Sequence, residues 1–170
     1  MIRVIVYLTV FIVSTFFSIL FAQNKVETPC SSIEYSQFDF WVGKWKVYND
    51  TGKLIGNNTV VKMPNACAIQ ENWTSETSKS KGTSYNYFDK KDNSWHQVWI
   101  DNGGGSLVLK GKFEKGVMVL MSDFVQDKIQ KYRNKISWQL NKDKSVTQEW
   151  VWVDEKGKEI KKLFKGIYKK

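Results

Sequence analysis

Histidine is almost missing from this chain, His96 being the only one. Cysteine is confined to Cys30 and Cys67, and neither has a second Cys or a His nearby in the sequence. A zinc site draws three or four such ligands at short spacings, so no metal site and no resident cofactor are expected. Haem is not expected either, because a proximal ligand could come only from His96. Arginine is limited to Arg3 and Arg133, and lysine supplies the rest of the 26 basic residues. Recognition of base edges and phosphates favours arginine's planar fork, so nucleic acid is not the expected partner. The net charge of +9 is instead read as a lysine-coated surface, densest at Lys161, Lys162, Lys165, Lys169 and Lys170 and open to attraction by anionic surfaces. No domain-scale repeat, low-complexity stretch or serine or cysteine nucleophile signature is present. Gly103-Gly104-Gly105 is not followed by a helix, so it is read as a hairpin connection rather than a phosphate loop.

A long apolar run occurs once. Arg3 precedes the run from Val4 to Phe21, and Ala22 offers the small residue that a signal peptidase requires before the polar Gln23-Asn24-Lys25. Residues 1–22 are therefore expected to be a cleaved export signal, residues 23–31 a polar linker, and residues 32–170 one domain with a single core. An uncleaved membrane anchor is the rival reading, since the run approaches the length that spans a bilayer. Glu27-Thr28-Pro29 before Cys30 does not make a lipoprotein sequence. An exported chain meets conditions in which a Cys30–Cys67 disulfide persists; alternatively Cys67 is a small buried residue in an apolar stretch.

From Ile33 to Trp41 the apolar residues recur at helical spacing, with Ser31 and Ser32 available as caps, and a short helix is predicted. Beyond Gly43 the period changes to two. Ten strands are predicted: Lys44 to Asn49, Leu54 to Met63, Cys67 to Trp73, Thr83 to Asp89 and Trp95 to Asp101, then Ser106 to Phe113, Val117 to Asp123, Gln130 to Gln139, Ser145 to Val153 and Glu159 to Tyr168. The connections, such as Asp50-Thr51-Gly52 and Asp154-Glu155-Lys156-Gly157, are too short for crossover helices, so sequence neighbours must pair antiparallel. Closing this meander removes its two edges, and a barrel of about ten strands can be filled by side chains or hold one small ligand. The expected fold is thus all-β, a meander barrel with a short N-terminal helix closing one end.

Three strands share a pattern in which a hydrogen-bonding side chain is followed two residues later by tryptophan: Glu71-Asn72-Trp73, Gln97-Val98-Trp99 and Gln148-Glu149-Trp150. Strand geometry puts both members on one face. Trp95 and Asp101 extend that face, Ser84 and Asn86 add polar groups from the preceding strand, and Trp138 is a further candidate wall. Such a face would orient an amphipathic or aromatic molecule, because its polar groups need partners that a ligand can supply. Equally, the tryptophans could make a dry core; the alternate positions Val98 and Ile100 are apolar too, so the inward face is open at this point. His96, with Glu71 and Asp101, is a candidate acid or base should the protein be an enzyme. Its alternation with Gln97 and Trp99 turns it away from them.

Gly43-Lys44-Trp45, following Phe38-Asp39-Phe40-Trp41, resembles the Gly-x-Trp that opens the first strand of lipocalin-like barrels. Cys67 to Trp73, Gly82 to Asp89, Trp95 to Asp101, Ser145 to Trp150 and Phe164 to Tyr168 extend the likeness to a family of uncharacterised bacterial lipocalin-like (calycin-type) domains, many of them exported. The resemblance implies a fold, not an activity. Where that family commonly carries Arg before the apolar-x-Trp of a late strand, this chain has Lys135 before Ile136-Ser137-Trp138, with Arg133 two residues earlier.

Taken together, these features lead to the expectation of an exported barrel, monomeric or dimeric, that holds a small amphipathic or hydrophobic molecule. A carbohydrate-binding or carbohydrate-processing accessory protein is the alternative, and a small hydrolase or isomerase comes third.

Overall fold

The computed structural model describes residues 28–170; the expected export signal and most of the expected linker lie outside the described residues. The order is two 3₁₀ turns, Ile33–Ser36 and Asp39–Trp41, then β1 (Gly43–Tyr48), β2 (Leu54–Lys62), a 3₁₀ turn at Pro64–Ala66, β3 (Ala68–Ser75), β4 (Lys81–Asp89), β5 (Ser94–Asp101), β6 (Ser106–Glu114), β7 (Val117–Met121), β8 (Val125–Gln126), β9 (Lys131–Leu140), β10 (Val146–Val153) and β11 (Glu159–Lys169). All ten predicted strands are present. The two-residue β8 was not predicted, because two residues carry no period.

Within the cycle of ten strands each pairs antiparallel with two neighbours, and β1 closes on β11 through Lys46↔Lys169 and Val47↔Tyr168. An up-and-down meander of ten strands brings its first and last strands together antiparallel, so closure needs no crossover and leaves no free edge. β8 lies outside this cycle, folded back on the start of β9 as Val125↔Tyr132 and Gln126↔Lys131.

The expected N-terminal helix is corrected to the two 3₁₀ turns. Phe38 and Trp41, three residues apart, both enter the core and stack at 4.9 Å. Three residues per turn aligns them, whereas 3.6 would fan them apart. This segment plugs the end of the barrel where β1 begins. Phe38 meets Trp95 at 5.6 Å and Trp138 at 5.2 Å, and Met118, Leu120 and Leu109 complete a dry half. Cys30 is bonded to Cys67, with Cα atoms 5.1 Å apart, which ties the end of the expected linker to the turn before β3. Closing a 37-residue separation corresponds to about 4 kcal/mol of loop-closure entropy removed from the unfolded chain.

Candidate functional site

The face left open by the sequence is settled by closure: the Glu/Gln–Trp face points inward, while Ile100 and Val108 stand 57% and 61% exposed outside. Glu71 and Trp73 on β3, Gln97, Trp99 and Asp101 on β5, and Gln148 and Trp150 on β10 all line one cavity of about 410 Å³. It occupies the half of the barrel opposite the plug. Thr77, Ser78 and Ser80 from the β3–β4 loop stand at its mouth. Its size falls within the range of small-molecule sites.

The tryptophans are held against the wall by missing side chains. An ideal Cβ on Gly56 would lie 2.1 Å from the Trp73 ring, and one on Gly82 2.1 Å from the Trp99 ring. Each indole therefore lies flat over a backbone that only glycine leaves bare, which keeps the space beyond it open. Trp73 also meets Phe164 edge-on at 5.8 Å. Trp150 is fixed by its polar tip instead: its Nε1 donates to Asn134 Oδ1 at 2.8 Å, an oxygen that also accepts from Trp152 Nε1 at 3.0 Å.

Beneath these rings lies a polar floor. Glu71, 5% exposed, accepts from Asn58 Nδ2 at 2.8 Å and from the Ser84 hydroxyl at 2.7 Å. Asn86 donates to Ser84 Oγ at 3.0 Å, and Gln97 Nε2 donates to Asn86 Oδ1 at 2.7 Å, so both amides are oriented from behind. From β11 the Tyr168 hydroxyl reaches into the same floor and donates to Gln148 Oε1. Burial pushes the Glu71 carboxyl up to about 7, against which the Ser84 and Asn58 hydrogen bonds act only in part. Burial and the nearby Glu71 charge push the Tyr168 phenol well up, so it remains a donor. None of the cavity-lining residues is Lys, Arg or His.

No family model and no curated protein matches this chain. What the site can do therefore follows from its geometry.

Several expected site residues take other positions. Ser84 and Asn86 are fully buried and lie behind the cavity wall, where they hold Glu71 and Gln97. Trp95 lies in the plug, 1% exposed, with Nε1 donating to Gln37 Oε1 at 3.1 Å. Trp138 is fully buried against Trp41. His96 is on the outer face, stacked on Tyr87 at 5.2 Å, with Nε2 2.9 Å from Asp92 Oδ2, so it cannot act on a molecule in the cavity. Asp89, Asp92 and His96 could between them offer metal ligands within 4.8 Å of one another, but Lys110 Nζ already takes the same Asp92 oxygen at 2.9 Å. Asp101 lines the mouth, yet its Oδ1 accepts from the Gly103 and Gly105 amides at 2.8 and 2.9 Å and so shapes the β5–β6 turn. Two strands and two residues of register put the Glu71 and Asp101 backbones about 12 Å apart, too far for a carboxyl pair sharing a proton.

Tyr168, Phe164, Leu107, Ile136, Leu163 and Ile55 are cavity walls that the sequence reading did not assign. For two of them a signal was available, because Phe164, Gly166 and Tyr168 alternate along the closing strand, which necessarily shares the interior.

Proposed function

We propose that this protein is an exported, lipocalin-like carrier that holds one small amphipathic molecule inside its barrel. The observation that carries the reading is the cavity of about 410 Å³ walled by Trp73, Trp99 and Trp150 and floored by oriented polar side chains. A barrel built only for stability would fill this half as it fills the plug half. Instead the glycines at 56 and 82 hold indoles back from the space, and a carboxyl is buried there without a cation beside it among the described residues. The two kinds of surface, apolar walls and a polar floor at one end, suit a ligand with an apolar body and one polar head. Export is supported by the apolar run from Val4 to Phe21 and by the Cys30–Cys67 bridge, which belongs to an oxidising compartment. Family membership is supported by the Gly43-Lys44-Trp45 opening and the barrel that follows it.

The test is a titration of the purified, delipidated protein with fatty acids, aromatic metabolites and oligosaccharides, followed by tryptophan fluorescence. A saturable change for one class is expected, since three indoles line the space. A folded protein that responds to none of them overturns the proposal.

A further inference from the structure

The charge of the cavity runs against the charge of the protein. The chain carries 26 basic and 17 acidic residues, but the cavity lining contains no basic side chain and two carboxyls, Glu71 on the floor and Asp101 at the mouth. Glu71 has no ion-pair partner among the described residues. Its hydrogen-bond partners are the neutral Asn58 and Ser84. Acceptors also outnumber donors around it. Asn58 Oδ1, sealed behind Glu71 and outside the cavity lining, has no hydrogen-bond partner among the described residues, so Asn58 supplies Glu71 with one N–H and no charge. Gln97 spends its Nε2 on Asn86 and Ser84, which leaves its carbonyl oxygen free of side-chain donors among the described residues. Such a floor is completed by something that brings positive charge or N–H groups.

The walls above it ask for the same thing. Indole faces attract cations through their quadrupole, more strongly where water is excluded, and tryptophan is the best of the aromatic side chains at it. A carboxylate ligand would meet the opposite: its charge would sit against Glu71, in surroundings of low dielectric, with no lysine or arginine to neutralise either. The basic exterior does not oppose entry of a cation, because at physiological ionic strength exposed charges are screened beyond about 8 Å.

Building on the carrier reading above, we infer that the ligand is an organic ammonium ion, an amine on an apolar or aromatic body, with its cationic head beside Glu71 and its body against Trp73, Trp99 and Trp150. Fatty acids are then poor ligands for this barrel, and the surplus of acceptors is what selects against them.

Three probes that share one body separate charge from hydrophobicity: 4-phenylbutylammonium, 4-phenylbutanol and 4-phenylbutanoate, titrated calorimetrically into the purified protein at pH 8. The ammonium is expected to bind at least about tenfold more tightly than the alcohol, with the carboxylate weakest. Glu71→Gln should bring the ammonium and the alcohol to near parity, and Glu71→Asp, which keeps the charge, should retain a preference for the ammonium. Equal or tighter binding of the alcohol or the carboxylate overturns the inference, as does a preference that survives Glu71→Gln. If none of the three binds while a fatty acid or an oligosaccharide gives saturable quenching, the inference fails and the carrier reading stands. If nothing in either panel binds, both fall.

Discussion

Gly82→Ala tests the way the cavity is kept open. Gly82 lies on β4 opposite Trp73 on one side and Asp101 on the other, and Trp99 crosses it diagonally. An added Cβ would lie 2.1 Å from Trp99 Cζ2, 2.4 Å from Cη2 and 2.8 Å from Cε2. Carbon atoms in contact need about 3.5 Å, so the ring edge must retreat by at least about 1.4 Å. The barrel wall blocks one direction, and the cavity takes the ring in the other. Overpacking of this kind costs about 1–3 kcal/mol, and removing a glycine from a strand returns about 0.5–1 kcal/mol. A net loss of about 1–2 kcal/mol is expected, read as a fall of several degrees in the midpoint of thermal unfolding followed by circular dichroism. Affinity for whichever probe binds the parent protein should fall with the lost volume. Gly56→Ala should repeat the result through Trp73, where the corresponding distances are 2.1, 2.5 and 2.7 Å. An unchanged midpoint together with an unchanged affinity would refute the view that these glycines hold the cavity open.

Glu71 makes stability depend on pH in a direction opposite to that of a salt-bridged acid. Its folded value of about 7 lies above the ordinary 4.5, so between these pH values the folded state holds a proton that the unfolded state has released. Its contribution is present below about pH 4.5 and fades by about 3 kcal/mol as pH rises through 7; urea unfolding between pH 4.5 and 8 should show this slope in the parent and not in Glu71→Gln. Replacing Cys30 and Cys67 together by serine should cost about 4 kcal/mol, seen as an earlier denaturation midpoint, and reductant should produce the same shift in the parent. Asn134→Leu would leave the Trp150 and Trp152 N–H groups without their acceptor; a loss of about 2 kcal/mol is expected by denaturant titration, with altered indole fluorescence if Trp150 loses its position. Gln97→Leu should weaken ligand binding and leave the fold intact, and an affinity equal to the parent's would remove Gln97 from the floor of the site.

The strands were legible because turn residues and a period of two recur along the whole length, and short connections allow only antiparallel neighbours. The inward face was not legible from β5 alone. Trp95, Gln97 and Trp99 alternate with His96, Val98 and Ile100, and both sets contain apolar members. Only closure of the sheet decides, by giving the larger aromatic side chains the interior. Within that face the sequence could not separate wall from plug. Trp95 and Trp99 are four residues apart on one strand, yet the 3₁₀ turns bring Phe38 against the first, while Gly82 gives the second a bare backbone to lie on. Ser84 and Asn86 looked like ligand contacts for a related reason. A strand face shows which residues point inward, but not which of them are covered by a neighbour's longer side chain.

The two halves of the barrel obey different rules, and the difference bears on function more than the fold does. The plug half is packed with Phe38, Trp41, Trp95 and Trp138. The other half spends glycine on its wall and an acid and two amides, Glu71, Gln97 and Gln148, on its lining, with Asn58, Ser84 and Asn86 behind them, none of which fills space as leucine would. Burying a carboxyl with no cation beside it destabilises a protein at neutral pH; glutamine removes that charge, its oxygen accepting from Asn58 and its amide nitrogen donating to Ser84 Oγ in place of the bond the hydroxyl gave Glu71. Glu71→Gln is therefore expected to be more stable than the parent at pH 8 and, at the same time, indifferent to the charge of its ligand. A substitution that raises stability while removing selectivity is the mark of a group retained for binding. If Glu71→Gln were instead less stable at pH 8, the acid would have to be counted among the forces that hold the barrel together, and its place on the cavity floor would no longer argue for a cationic ligand.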